Sequence, residues 1–272
     1  MDKYVRTTIV TGGASGIGRA ICKQLAEKNV YVIITDISAQ QGEELASEII
    51  SQGGQARFIF MNVTDANEVQ SVIHEVFEEF GRLDYVFNNA GISMYGEFYH
   101  MGLEDWNKIV NINLWGVIYG TRAAYSIMKK QGFGHIVNTA SVAGLGPTPM
   151  VTAYATTKHA IVGFTTSLHY EAETYGIKVT TICPGHVDTA IYDNGHAINL
   201  DKNKINRSVK QRKMMSAETF AAYALKRIEK NVPLICPLPF RKTMDVFFQL
   251  FPNAHRKMMR MVCRVIRETQ LD

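Results

Sequence analysis

The chain has few of the residues that would give it a covalent or metallic skeleton. Its four cysteines, Cys22, Cys183, Cys236 and Cys263, are scattered along 272 residues with no Cys-x-x-Cys pair. That spacing argues against a disulfide framework or a thiolate metal site, and fits small buried residues in a reducing compartment. The eight histidines show no His-Glu-x-x-His or other paired-ligand spacing, so no metal is expected. No apolar run is long enough to span a membrane. Met1 to Arg6 holds no apolar h-region, so no signal peptide is expected, and a cytoplasmic location is. The formal net charge is only +4, which points to no nucleic-acid partner. Internal repeats and low-complexity segments are missing too, and composition does not shift before about residue 237.

What is present is a large apolar fraction, 46%, enough for a sizeable core at a length compatible with one α/β domain. Apolar and β-branched runs predict strands at 7–11, 30–35, 57–61, 85–87, 135–138, 179–183 and 232–236. Helical periodicity predicts helices at 19–28, 39–52, 65–80, 103–130, from Thr152 onward with Thr152 as N-cap, and at 216–230. Strict alternation of the two implies a doubly wound, seven-stranded parallel sheet of Rossmann-like form with helices on both faces. Residues 1–236 read as one catalytic domain and 237–272 as a basic amphipathic helical tail.

In open parallel sheets ligands lie beyond the carboxyl ends of the strands, and the unusual residues fall there. Gly12-Gly13-Ala14-Ser15-Gly16-Ile17-Gly18 joins the first strand to a helix. Glycines let the backbone turn sharply beside a pyrophosphate, and the helix N-terminus offers amides and positive dipole to it. Asp36 ends the second strand, where a carboxylate accepts from ribose hydroxyls and repels a 2′-phosphate. Its neighbours Ser15 and Ile37 are neutral, so NAD is favoured over NADP. Asn62, followed by Val63, either meets an adenine edge or forms a turn. Asn88-Asn89-Ala90-Gly91 ends the fourth strand with small residues and capping amides. Asn113 sits inside a long helical pattern, where asparagine competes for backbone bonds, so an interruption or a water site is expected.

Tyr154 and Lys158 are four residues apart on one helical face. The ammonium should lower the phenol's pKa; reaching neutrality from about 10 takes roughly 4 kcal/mol. Such a phenol can give a proton to a carbonyl or take one from an alcohol. Ser141, just past the fifth strand, offers a hydroxyl to a substrate oxygen. It lacks the Gly-x-Ser-x-Gly elbow of a serine hydrolase, which stands as a third reading.

Together and in this order, these motifs resemble the short-chain dehydrogenase/reductase family in its simple single-domain form, over roughly residues 7–236. The resemblance implies a catalytic set of Asn113, Ser141, Tyr154 and Lys158. Tyr154 would act as acid/base, Ser141 would hold the substrate oxygen, and Lys158 would bind the nicotinamide ribose. Asn113 would anchor a water of the proton relay. Cofactor contacts would come from Gly12, Ser15, Gly16, Ile17, Gly18, Asp36, Asn62, Val63, Asn89, Ala90, Gly91, Tyr154 and Lys158. Pro184, Gly185, Val187 and Thr189 resemble the turn at the carboxamide end. The family shows Asp where this chain has Asn62. A homodimer or homotetramer is also implied.

The expected activity is hydride transfer between NAD(H) and a secondary alcohol or ketone. Met94, Tyr95, Phe98, Leu145, Pro147, Met150 and Ile191 would line an apolar pocket, suited to a steroid-, retinoid- or acyl-like body. The alternative from another class is a non-catalytic dinucleotide-binding sensor or scaffold that docks through its tail. Residues 201–213 read as a mobile basic lid, its charge solvating the surface or, less favoured, holding an anionic acyl carrier. In the tail, Met258, Met261, Val262, Val265 and Ile266 form a stripe opposite Arg256, Lys257, Arg260, Arg264 and Arg267. Residues 253–272 could contact an anionic membrane; packing on the catalytic domain or a partner subunit is favoured.

Overall fold

Alternation along single strands is what makes this fold two-sided. In the computed structural model, Val32 and Ile34 pack on one face of the sheet while Ile33, between them, packs on the other. Val10 and Ile9, Phe87 and Val86, and Val137 and Ile136 divide in the same way. Each of these four strands is therefore buried on both faces, as the interior of a parallel sheet requires. The structure describes residues 6–211, 213–239 and 241–270. Met1 to Val5, Arg212 of the expected lid, Phe240, and Leu271 and Asp272 of the tail lie outside the described residues.

The first half runs β1 (Thr7–Thr11), α1 (Gly16–Ala26), β2 (Tyr31–Asp36), α2 (Ala39–Ser51), β3 (Ala56–Phe60), α3 (Ala66–Phe80) and β4 (Tyr85–Asn88). A short β5 (Met94–Tyr95) precedes α4 (Leu103–Val110) and α5 (Gly116–Gln131), then β6 (Gly134–Thr139), α6 (Thr152–Glu173) and β7 (Ile177–Ile182). Two-residue strands β8 (Val187–Asp188) and β9 (His196–Ala197) lead to α7 (Lys202–Lys210), β10 (Met215–Ser216), α8 (Ala217–Ile228) and β11 (Leu234–Ile235). The tail is α9 (Arg241–Leu250) and α10 (Pro252–Arg267). The main sheet has the expected seven strands, all parallel, in the order β11-β7-β6-β4-β1-β2-β3. Ile21, Leu25, Leu45, Phe220 and Leu225 cover one face; Val69, Ile73, Phe80 and Met128 cover the other.

Two expectations need correction. The single helix over 103–130 is two helices joined by a π-helical turn, Asn111–Trp115, which is the interruption that Asn113 implied. Thr152 does not cap α6; it is the first helical residue, and Val151 takes the cap position without a side-chain bond. Val151 is held there by a parallel bridge to Gly96. The segment expected to be a lid, 201–213, contains a helix. Asp201 caps α7, accepting from the amides of Asn203 (2.9 Å) and Lys204 (3.1 Å), and Ile205 is buried.

Candidate active site

The strand ends converge on one cavity of about 1280 Å³. Of the residues predicted to act there, all but Gly18 and Asn113 line it. Gly12 turns with φ +61°, and a Cβ on it would stand 2.8 Å from the Cα of Ala90. The glycine turn thus lies directly against the end of β4. Gly18 has a packing role instead: a Cβ there would be 2.1 Å from the Gly12 carbonyl oxygen. It lets α1 sit on its own turn, and Gly16 and Ile17 of its first turn, where helix amides lack intrahelical acceptors, line the cavity.

Side-chain amides and hydroxyls fix that wall. Asn89 Nδ2 donates to the carbonyls of Thr11 (3.1 Å) and Gly12 (3.2 Å). The Thr11 hydroxyl accepts from the amides of Asn89 (2.9 Å) and Ala90 (3.0 Å). Thr11 went unnoticed in the sequence, although a hydroxyl as the last residue of a strand beside a glycine turn was the available signal. The Asp36 carboxylate accepts from the amides of Ala14 (3.2 Å) and Ser38 (3.1 Å). The nearby cations on α1 are engaged elsewhere: Arg19 pairs with Glu48, and Lys23 reaches the same carboxylate at 2.5 Å. Asn62 Oδ1 serves its turn, accepting from the Thr64 amide (3.1 Å) and hydroxyl (2.9 Å), while the residue lines the cavity.

At the other end stand the four residues expected to work together. Asn113, fully buried, reaches across from the π-helical turn and pairs with Ile92 through both backbone groups, accepting its N–H at 2.8 Å and donating to its carbonyl at 2.9 Å. It also donates to the Thr157 hydroxyl (3.3 Å), which in turn donates to the Tyr154 carbonyl (2.7 Å). Asn113 is thereby tied to the helix that bears Tyr154 without itself reaching the cavity. Ser141 accepts from the Ala143 amide (3.2 Å), donates to the Pro184 carbonyl (3.5 Å) and hydrogen-bonds Tyr154.

Lys158 Nζ donates to the Thr139 carbonyl at 2.9 Å and lies 5.5 Å from the centroid of the Tyr154 ring. Burial pushes its ammonium down to about 8. Burial also pushes the Tyr154 phenol up, against the hydrogen bond from Ser141, which pulls it down. The sequence expectation of a phenol lowered by Lys158 is therefore reversed in this protein. Desolvation of the phenol outweighs the lowering bond from Ser141, and the Lys158 ammonium is turned to the Thr139 carbonyl.

Beyond Tyr154 the cavity carries apolar side chains among polar ones. Met94, Tyr95, Met150 and Ile191 line it as expected. Met150 adopts φ 65°, held by the Gly96 amide bonding its carbonyl at 2.9 Å, a strained backbone of the kind concentrated at functional sites. Phe98 and Leu145 were expected there but are elsewhere: Phe98 is exposed against Trp106, and Leu145 packs with Val117 and Ile161. Pro147 is replaced in the lining by Thr148 and Pro149. The outer wall is formed by Leu200, Ile205 and Val209 with Val262, Val265 and Ile266 of α10. The tail thus packs on its own domain, one of the destinations open to an amphipathic stripe.

Residues 6–197 match the family model described as short chain dehydrogenase. An oxidoreductase of Thermotoga maritima is 40% identical over 185 residues, 68% of this chain and 73% of that protein. A 3-oxoacyl-[acyl-carrier-protein] reductase of Synechocystis is 34% identical over 193 residues, 71% of this chain and 78% of the relative. Among solved structures, a short chain dehydrogenase/reductase from Burkholderia phymatum in complex with NAD superposes with a TM-score of 0.83 at 26% identity, covering 92% of this chain and 96% of that one.

Proposed function

This chain belongs to the short-chain dehydrogenase family of oxidoreductases, and from that premise we propose that it moves a hydride between NAD(H) and a lipophilic ketone or secondary alcohol, with Tyr154 carrying the proton. The observation that carries the reading is one cavity lined by the glycine turn and Asp36 at one end and by Ser141, Tyr154 and Lys158 at the other.

The residues present fit a dinucleotide. Gly12, Ser15, Gly16 and Ile17 form a wall of backbone without bulk, and α1 directs its free amides at an anion. Asp36 would accept from the adenosine ribose, with Asn62 and Val63 beside the base. Asn89, Ala90 and Gly91 would bound the middle of the cofactor, and Pro184, Gly185, Val187 and Thr189 its carboxamide end. Bound NAD(H) supplies the hydride. In reduction Tyr154 gives its hydroxyl proton to the carbonyl oxygen as the hydride reaches the carbonyl carbon; in oxidation it takes the alcohol proton back. Ser141 holds the substrate oxygen beside that hydroxyl. Lys158 orients the nicotinamide ribose, and Asn113 positions the α6 backbone.

A panel of alcohols and ketones of graded chain length, assayed with NAD and NADP in parallel at the nicotinamide absorbance, tests the reading. Turnover should appear with apolar substrates and NAD; activity confined to small polyols or sugars would refute the substrate class.

The depressed ammonium of Lys158 makes a second expectation. It is charged below about 8 and neutral above. If it donates to ribose hydroxyls, NADH affinity is full below that pH and weakens as pH rises through it. A loss of about 1.4 kcal/mol would be a tenfold rise in Kd. Fluorescence titration of NADH between pH 6 and roughly 10 should show this slope, and Lys158→Met should flatten it. A wild-type profile already flat across the range would remove Lys158 from the cofactor site.

A further inference from the structure

The family match ends at residue 197, yet the cavity does not. Its outer half is built by Leu200, by Ile205 and Val209 of α7, and by Val262, Val265 and Ile266 of α10. Ile266 packs on the buried group of Met150, Leu200 and Ile205, so the tail touches the same loop that leads into the Tyr154 helix.

This placement is fastened at several points. Glu97 accepts from Arg267 through Nε at 3.1 Å and again through the guanidinium end, and from Gln270 Nε2 at 2.8 Å. Glu97 follows Gly96, whose amide holds Met150. The Asp201 amide donates to the Thr269 carbonyl at 2.7 Å, and Leu200 pairs with Gln270 in an antiparallel bridge. The tail is thus bonded both to the loop after β5 and to the residue that caps α7. Isolated exposed ion pairs contribute little, but here charged, amide and backbone bonds converge on two adjacent strips of chain.

The chemistry of the enclosed space is uneven. Near Tyr154 it offers Ser141 for one substrate oxygen. From there outward apolar side chains, Met94, Met150 and Ile191 and then the aliphatic groups of α7 and α10, are interspersed with the polar groups of Tyr95, Tyr192, Asn194, Ser208 and Thr269. Lys204 and Glu268, one of each sign, both line it as well, so it shows no single-sign patch for an anionic headgroup.

We propose that α10 is the distal wall of the substrate pocket, and that Val262, Val265 and Ile266 set the length of the lipophilic ketone or secondary alcohol the enzyme accepts. This rests on the oxidoreductase reading above for turnover, but not for binding. A substrate with one oxygen at Tyr154 and an unbranched apolar chain fills the cavity. A short ketone would never touch the tail.

The test is a series of methyl ketones from 2-butanone to 2-dodecanone with NADH. For the wild type, kcat/KM should rise about fourfold per methylene until the chain meets α10 and then level. Val262→Trp should bring that plateau to shorter chains. It should lower kcat/KM for 2-decanone about tenfold, the order of one or two misfitted methylenes, while 2-butanone stays within about twofold. An unchanged plateau, or an equal fall for both ketones, overturns the proposal. A second readout needs no turnover: amide hydrogen exchange of residues 252–267 in the NADH-loaded enzyme. 2-Decanone should protect these amides and 2-butanone should not; no protection by 2-decanone overturns the wall. If 2-decanone protects α10 but no ketone or alcohol is turned over, the oxidoreductase reading fails and the wall stands.

Discussion

Tyr154→Phe should lower kcat roughly a thousandfold in either direction, the middle of the range for general acid–base catalysis, or about 4 kcal/mol of transition-state stabilisation. NADH affinity should remain within about twofold, because the substitution removes one oxygen at the far end of the cavity from the glycine turn and Asp36. The variant should fold. The ring packs with Met94, Ile109 and Ala153, and the bond from Thr157 is to the backbone carbonyl of residue 154, which Phe retains. Stopped-flow single turnovers with NADH and fluorescence titration of the cofactor measure the two quantities separately. Parallel loss of both would mean that Tyr154 is structural.

The same tyrosine shows what a spacing can and cannot say. An i, i+4 pair places two side chains on one helical face, and both do line the cavity. Spacing does not say where the charged end goes. Here the Lys158 ammonium bonds the carbonyl at the end of β6, and burial governs the phenol. At neutral pH the phenol keeps its proton, the form needed to protonate a carbonyl. Oxidation needs the proton removed, so its rate should climb with pH where reduction does not.

Much of the remaining framework was legible for simple physical reasons. The first four main strands are β-branched or apolar runs closed by Gly12, Asp36, Asn62 and Asn88, and burial on both faces favours such runs. Asn113 was legible as a disturbance because an amide in a helix interior needs a partner; the partner, the backbone of Ile92, comes from a loop twenty-one residues earlier and could not be read. The place of Gly18 in a motif points to the cofactor, and the close approach that demands glycine there, to the Gly12 carbonyl, is visible only in the fold. β5, β8, β9 and β10 have two residues each and form only through distant partners, so no local pattern announces them. The stripe on α10 announced that one face needs cover. Only the fold shows that Val262, Val265 and Ile266 of that stripe line the cavity.

Cofactor choice should invert in the double substitution Asp36→Ser with Ile37→Arg. In the native chain the carboxylate is oriented by the amides of Ala14 and Ser38, at the cavity edge, and would meet the adenosine ribose. A 2′-phosphate placed there would face that carboxylate with no free cation to offset it, since Arg19 and Lys23 are both bound to Glu48. Removing Asp36 ends the repulsion and also deletes an acceptor for the ribose. Ile37 is 68% exposed beside it, so an arginine can be accommodated without disturbing the core and can reach a phosphate with paired N–H groups. Each charge-assisted bond gained or lost is about 1.5–3 kcal/mol. The lost ribose bond and the gained phosphate pair act on the ratio in the same direction, so the NADP/NAD preference in kcat/KM should move roughly a thousandfold, or about 4 kcal/mol. Asp36→Ser alone should weaken NAD about tenfold and do little to recruit NADP. If the double variant kept the native preference, the adenosine end of the dinucleotide could not lie at the end of β2. The glycine turn and Asp36 would then belong to the fold rather than to the cofactor.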